Sequence, residues 1–242
     1  MKGEIQGIDK GTKWVGLKEE NLADALEQER RAVAFWFSTH YWGAASPPPQ
    51  QDVQHLIEKY PVGWSLFLRH APLYQIWTGE CVQALARYLE DISARVIVEV
   101  GAGDGRLIKW LSTCLPSSMA LVASDNSSWS RVQEYRVGEV AALPYPDAIQ
   151  RFTPDTVISS WMPYSQDWTP DFRAAPFVQR YLLIGEGPGG CVGANASWDV
   201  YPGWDQQRLS AAEAASFCRS DQFWFDGVLS RHTWIQVFTR QD

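Results

Sequence analysis

The chain has 242 residues and a formal net charge of −7, from 21 Lys and Arg against 28 Asp and Glu. That acidic balance argues against duplex nucleic acid as the main partner. Thirteen Trp, 10 Phe and 9 Tyr exclude a disordered composition and fit a small or apolar partner. No apolar run reaches the ~18 residues of a membrane span, and no leader-like apolar segment opens the chain. Cys81, Cys114, Cys191 and Cys218 have no zinc or paired spacing, so buried reduced thiols in a cytoplasmic protein, monomeric or homodimeric, are expected.

Residues 17–37 place Leu22, Ala25, Leu26, Val33 and Trp36 or Phe37 at helical spacing, with charges between them. Ser46-Pro47-Pro48-Pro49 ends that segment and leads into a short helix over 50–59. A third helix over 80–91 repeats Val82, Leu85 and Leu89 on one face. These segments predict a helical cap over residues 1–92, carrying Trp36, Trp42, Trp64, Tyr74 and Trp77 as an aromatic lid.

Residues 93–242 change character. The run 94–101 is continuously apolar and of strand length, the mark of a parallel strand buried on both faces. Further strands are predicted at 119–124, 135–139, 155–160, 180–185, 223–229 and 233–239, the first five separated by helices. The pattern predicts an α/β fold with a doubly wound, mostly parallel seven-stranded sheet. Only Ser230-Arg231-His232 separates the last two strands, so they are expected to close the sheet as an antiparallel hairpin.

The strand at 94–101 feeds Val98-Glu99-Val100-Gly101-Ala102-Gly103-Asp104-Gly105-Arg106, and a helix follows over roughly 105–115. Three glycines let the backbone turn tightly and approach a ligand. Arg106 occupies the position where a dinucleotide fingerprint wants Gly or Ala. Asp125 ends the second strand 20 residues after Gly105, where doubly wound nucleotide sites hold a ribose diol. Glu139 follows Gly138 at the expected end of the third strand.

These residues resemble the class I S-adenosylmethionine-dependent methyltransferases, with their acid-x-G-x-G-x-G loop, their acid ending strand two and their G-D-A-x-x-L-P-like segment after strand three. The resemblance spans about 95–240. It implies S-adenosylmethionine as cofactor, with Glu99, Gly101, Ala102, Gly103 and Gly105 around the methionine part. By position, Asp125 and Asn126 would take the ribose, Glu139 and Val140 the adenine, and Ser160 would flank the site. Met162-Pro163-Tyr164 matches only the last two places of the Asn/Asp-Pro-Pro-Tyr motif of amine-methylating members. Trp161 stands in its first slot without an acceptor atom, which puts base and glutamine methylation in doubt.

Asn126, Tyr164 and Ser197 are the candidate catalytic residues, and no metal-ligand spacing is present. His40 and His70 in the cap and Asp167 and Asp171 beyond strand four are further titratable candidates. Trp161, Trp168 and Trp198 follow strands four and five toward the expected cofactor, while Trp110, Trp224 and Trp234 are expected in the core. Aromatic faces can hold a sulfonium at roughly 0.5–2 kcal/mol per contact. Three functions stay open: methyl transfer to a small molecule, cyclisation of S-adenosylmethionine itself to azetidine-2-carboxylate and methylthioadenosine, and non-catalytic cofactor binding. Neither a nucleic acid nor a membrane is expected as partner.

Overall fold

The structure is a computed structural model and describes residues 19–128, 136–221, 224–225, 228–229 and 232–241. A long helix α1 (Glu19–Phe37) runs into a π-helical turn (Ser38–Trp42) and is followed by α2 (Gln50–Lys59) and α3 (Pro61–Leu68). A two-residue strand β1 (Gln75–Ile76) then leads to α4 (Gly79–Asp91). The sheet opens with β2 (Val96–Val100), α5 (Arg106–Cys114), β3 (Ala120–Asp125) and β4 (Val140–Ala142). Next come α6 (Tyr145–Phe152), β5 (Thr156–Ser160), α7 (Thr169–Ala174) and β6 (Arg180–Glu186). The chain ends with β7 (Trp204–Arg208), α8 (Ser210–Ala215), β8 (Phe217–Cys218), β9 (Trp224–Phe225), β10 (Val228–Leu229) and β11 (Thr233–Arg240).

Seven strands form the main sheet in the order β4-β3-β2-β5-β6-β11-β7. The pairs from β4 to β6 are parallel, and β11 lies antiparallel between β6 and β7. Alternation along each strand feeds two cores. Ile97, Ile158, Leu182, Ile184, Ile235 and Val237 belong to one cluster, which continues into Val33, Phe37 and Trp64 of the N-terminal helices. Val98, Val157, Tyr181, Leu183 and Phe238 belong to the other, together with Ala148 of α6 and Phe172 of α7. The boundary expected at residue 92 therefore falls inside one continuous hydrophobic cluster.

Three expectations need correction. Among the described residues of 223–229 none supplies the sheet's antiparallel edge: β9 and β10 pair with each other, and β7 is the edge partner of β11. The strand of β7 is Trp-Asp-Gln-Gln-Arg with one buried residue, because an outermost strand with little to cover it carries no apolar run. The third parallel strand begins at Val140 rather than ending at Glu139. Just before it, the N–H of Val137 donates to the Asp104 carbonyl, so this stretch braces the glycine loop instead of extending the ladder. Cys81 and Cys218 are buried as expected, but Cys114 and Cys191 are exposed.

The N-terminal helices cross closely at Gly63. A Cβ there would come within 2.6 Å of the Glu29 backbone and Cβ, and the Gly63 N–H donates to Glu29 Oε2 at 3.1 Å. No described helix is long and apolar enough to cross a membrane. Gly63→Ala should push α3 off α1 and cost about 1–3 kcal/mol of unfolding free energy by overpacking. Chemical denaturation checks this, and an unchanged midpoint would show that the two helices can separate freely.

Candidate active site

On one side of β2 the chain winds outward to β3 and β4, and on the other to β5 and β6, so the direction of winding reverses there. Ligands of open α/β sheets bind beyond the carboxyl ends of the strands at such a point. A cavity of about 880 Å³ lies there, bordered by the glycine loop, the end of β3, the segment after β4 and the turn after β5.

All three loop glycines are left-handed, with φ of +67° at Gly101, +57° at Gly103 and +76° at Gly105. They do different work. Gly101 faces the cavity, with the Trp168 ring 3.3 Å from where its Cβ would stand. Gly105 faces away from it: a Cβ would meet Val140 Cγ2 at 2.6 Å, so this glycine lets β4 close on the loop. The Asp125 carboxylate holds the loop from the next strand, Oδ2 accepting from Gly103 N–H (3.1 Å) and Oδ1 from Ser127 N–H (2.7 Å).

Glu99 lines the cavity although it is only 3% exposed, and its Oε2 has no partner among the described residues. Burial, with Asp104 and Asp125 nearby, raises its pKa well above the ordinary value of 4.5. A carboxyl with one unpartnered oxygen there suits a cationic donor such as an ammonium group.

Arg106, 2% exposed, ties the loop to the N-terminal helices. Its Nη1 donates to the Tyr41 carbonyl at 2.7 Å and its Nε to Asp104 Oδ2 at 3.0 Å. Its guanidinium lies 4.7 Å from the Tyr41 ring centroid and 5.2 Å from that of Trp110. The side wall comes from β1, which β8 pins by antiparallel pairing. Gln75 is used up internally, Nε2 donating to the Phe217 carbonyl and to Thr233 Oγ1 while Oε1 accepts from Trp161 Nε1. Trp161 sits at φ +58° and packs on Tyr74 with ring centroids 5.1 Å apart. A tryptophan held in the left-handed region is a strained position, of the kind that clusters at ligand sites.

Of the residues read from sequence, Glu99, Gly101, Ala102, Gly103, Asp125, Asn126, Ser160 and Tyr164 line the cavity. Gly105, Glu139, Val140 and Ser197 do not. Glu139 is exposed at the amino-terminal end of β4, opposite to the cavity end of the sheet. Ser197 is buried and donates to Asp167 Oδ1 at 2.9 Å, which accounts for Asp167 as well. His40 and His70 are exposed and outside the walls. The aromatic lid is also narrower than expected. Tyr74 and Trp77 line the cavity, but Trp36 and Trp42 pack against the first core and Trp64 is buried against Phe37. Trp198, expected toward the cofactor from beyond strand five, donates to the Val192 carbonyl in the second core. The Trp224 side chain lies outside the described residues.

Tyr41, Gln75, Arg106 and Tyr145 are wall residues that the sequence reading did not single out. Arg106 had a signal, since it breaks the glycine fingerprint. Tyr145 had none beyond its place between two prolines.

No known family profile and no curated protein matches the chain. Several solved methyltransferases are similar to it at low identity. The methyltransferase domain of bacterial CtHen1-C is 15% identical, covers 67% of this chain and 98% of its own, and has a TM-score of 0.42. The plantazolicin methyltransferase BamL, in complex with a triazolic desmethylPZN analog and SAH, is 9% identical, with coverage of 93% and 100% and a TM-score of 0.43. Cofactor-bound Rv0187 from MTB is 14% identical, with coverage of 81% and 99% and a TM-score of 0.45.

A pH measurement isolates Glu99. Its raised pKa contributes stability that is present below about pH 4.5 and is lost as pH rises through the folded value, at up to about 1.4 kcal/mol per pH unit. Glu99→Gln should therefore gain on the wild type as pH rises from about 5 to about 8, read as the difference in melting temperature. A difference that stays flat with pH would mean Glu99 is ionised in the folded protein.

Proposed function

We propose that this cavity binds S-adenosylmethionine and that the protein transfers a methyl group to a small molecule held against the aromatic wall. The observation that carries this reading is the pairing of two carboxylates in one cavity at the switch point. Glu99 offers a buried, unpartnered acceptor suited to the ammonium of the methionine part. Asp125, at the end of the adjacent strand, is positioned for the ribose diol. Gly101 and Gly103 let the backbone between them come close to the ligand. When bound, the cofactor would supply an electrophilic methyl group on its sulfonium.

The chain's own part is to position and to keep dry. Displacement at a methyl carbon needs the donor and acceptor atoms aligned, and that alignment supplies much of the rate. Tyr74, Trp161 and Met162 give an apolar acceptor compartment whose indole N–H is already satisfied by Gln75. Tyr164, 71% exposed at the cavity rim, brings a hydroxyl to the mouth where an acceptor would arrive, and Asn126 stands beside Asp125. Ser197, committed to Asp167, has no part in this reading.

The size of the cavity favours methyl transfer over cyclisation. About 880 Å³ lies near the top of the ~300–1,000 Å³ range of small-molecule sites, which leaves space beside one nucleoside cofactor for a second molecule. Two measurements test the reading. Calorimetry should show S-adenosylmethionine binding to the wild type and at least about tenfold weaker binding to Asp125→Ala, which loses a charged acceptor; equal affinity would remove Asp125 from the site. Incubation with S-adenosylmethionine and no acceptor, followed by mass spectrometry, should give no methylthioadenosine above an enzyme-free control. Rapid formation of methylthioadenosine together with azetidine-2-carboxylate would instead establish the cyclase reaction.

A further inference from the structure

We propose that Trp168 is the wall that reads the positive charge of the sulfonium, so that the site distinguishes S-adenosylmethionine from its neutral demethylated product. The inference rests on the cofactor reading above and adds a specificity residue to it.

Trp168 lines the cavity beside the first loop glycine, its Cζ3 and Cη2 each 3.3 Å from where a Cβ on Gly101 would stand. Glu99, two residues before that glycine, lines the same cavity and has one buried, unpartnered oxygen. An acid for an ammonium and an aromatic surface therefore flank the same part of the loop. An amino-acid sulfonium carries two positive centres a few bonds apart, and this end of the cavity offers an element for each.

The indole is held firmly. Tyr145 stacks on it with centroids 4.5 Å apart and planes 16° off parallel, while the half-buried ring still borders the cavity. The Tyr145 hydroxyl donates to Asp171 Oδ2 at 2.7 Å, and burial with that carboxylate pushes the phenol up to about 12, so it stays a neutral donor. The Trp168 backbone N–H donates to Met162 Sδ at 3.4 Å and its Nε1 to Gln166 Oε1 at 2.8 Å. With its polar atoms satisfied, the residue has only its π surface to offer a ligand.

Two of the other aromatic walls already face a cation. Tyr41 faces the guanidinium of Arg106 at 4.7 Å and Tyr74 that of Arg219 at 4.8 Å, while Trp161 packs on Tyr74. Trp168 stacks on a neutral ring instead, and tryptophan is the strongest cation–π partner among the side chains.

The test compares the dissociation constants of S-adenosylmethionine and S-adenosylhomocysteine by calorimetry in the wild type, Trp168→Phe and Trp168→Leu. Trp168→Leu should weaken the sulfonium ligand about fivefold or more while changing the neutral ligand less than about twofold, with Trp168→Phe between it and the wild type. Equal weakening of both ligands would make Trp168 a packing residue and overturn the proposal, as would no change in either. If the leucine variant does not fold, the phenylalanine variant decides: an affinity ratio unchanged from wild type overturns the proposal. A wild type that binds neither ligand overturns the cofactor reading itself and this inference with it, a result distinct from the others.

Discussion

Glu99 sets the constraint around which the cavity is arranged. A carboxyl group at the carboxyl end of the central strand, almost wholly buried and with one oxygen unpartnered, is a costly feature in a folded chain. It is tolerated because the group can hold its proton, which its raised pKa favours. The surroundings intensify the cost, since Asp104 and Asp125 bring further negative charge to the same end of the sheet. Arg106 answers Asp104 directly, and in doing so fastens the π-helical turn at Tyr41 to the glycine loop. The N-terminal helices are thus joined to the loop by a buried charge as well as by a continuous core. A ligand that brings a cation to Glu99 would give its unpartnered oxygen a donor.

The aromatic residues divide by the same geometry. Phe37, Trp64 and Phe67 fill the junction between the N-terminal helices, and Tyr181, Trp204 and Phe238 fill the opposite core. Others reach the cavity, among them Tyr74 from the β1 clip, Trp161 from a left-handed turn after β5, and Tyr145 with Trp168 from the helix starts beyond β4 and β5. None is held by its own element alone. Tyr74 depends on the pairing of β1 with β8, and Trp161 depends on Gln75.

What was legible in the sequence follows from how local each signal is. Strand β2 was readable because burial on both faces demands a mostly apolar run, broken here only by Glu99, and the loop was readable because three left-handed positions demand glycine. Asp125 was readable because it ends a strand adjacent to β2. The edge strand β7 was not, since four of its five residues are exposed and carry polar side chains. Ser197 looked like a candidate because it follows a strand toward the cavity, yet its hydroxyl turns to Asp167, thirty positions earlier. Glu139 looked like an adenine contact because the third strand was read a few residues early. Gln75 and Tyr145 act through partners far away in sequence, and no local pattern announces them.

The central claim is that Glu99 receives the cation of the methionine part. Titration calorimetry of S-adenosylmethionine near neutral pH, repeated in buffers of different ionisation enthalpy, tests it directly. A cation brought beside a carboxyl that holds its proton favours the charged form, so binding to the wild type should release protons to the buffer, and binding to Glu99→Gln should not. Binding with no proton release, or with the same release in the variant, would contradict the account.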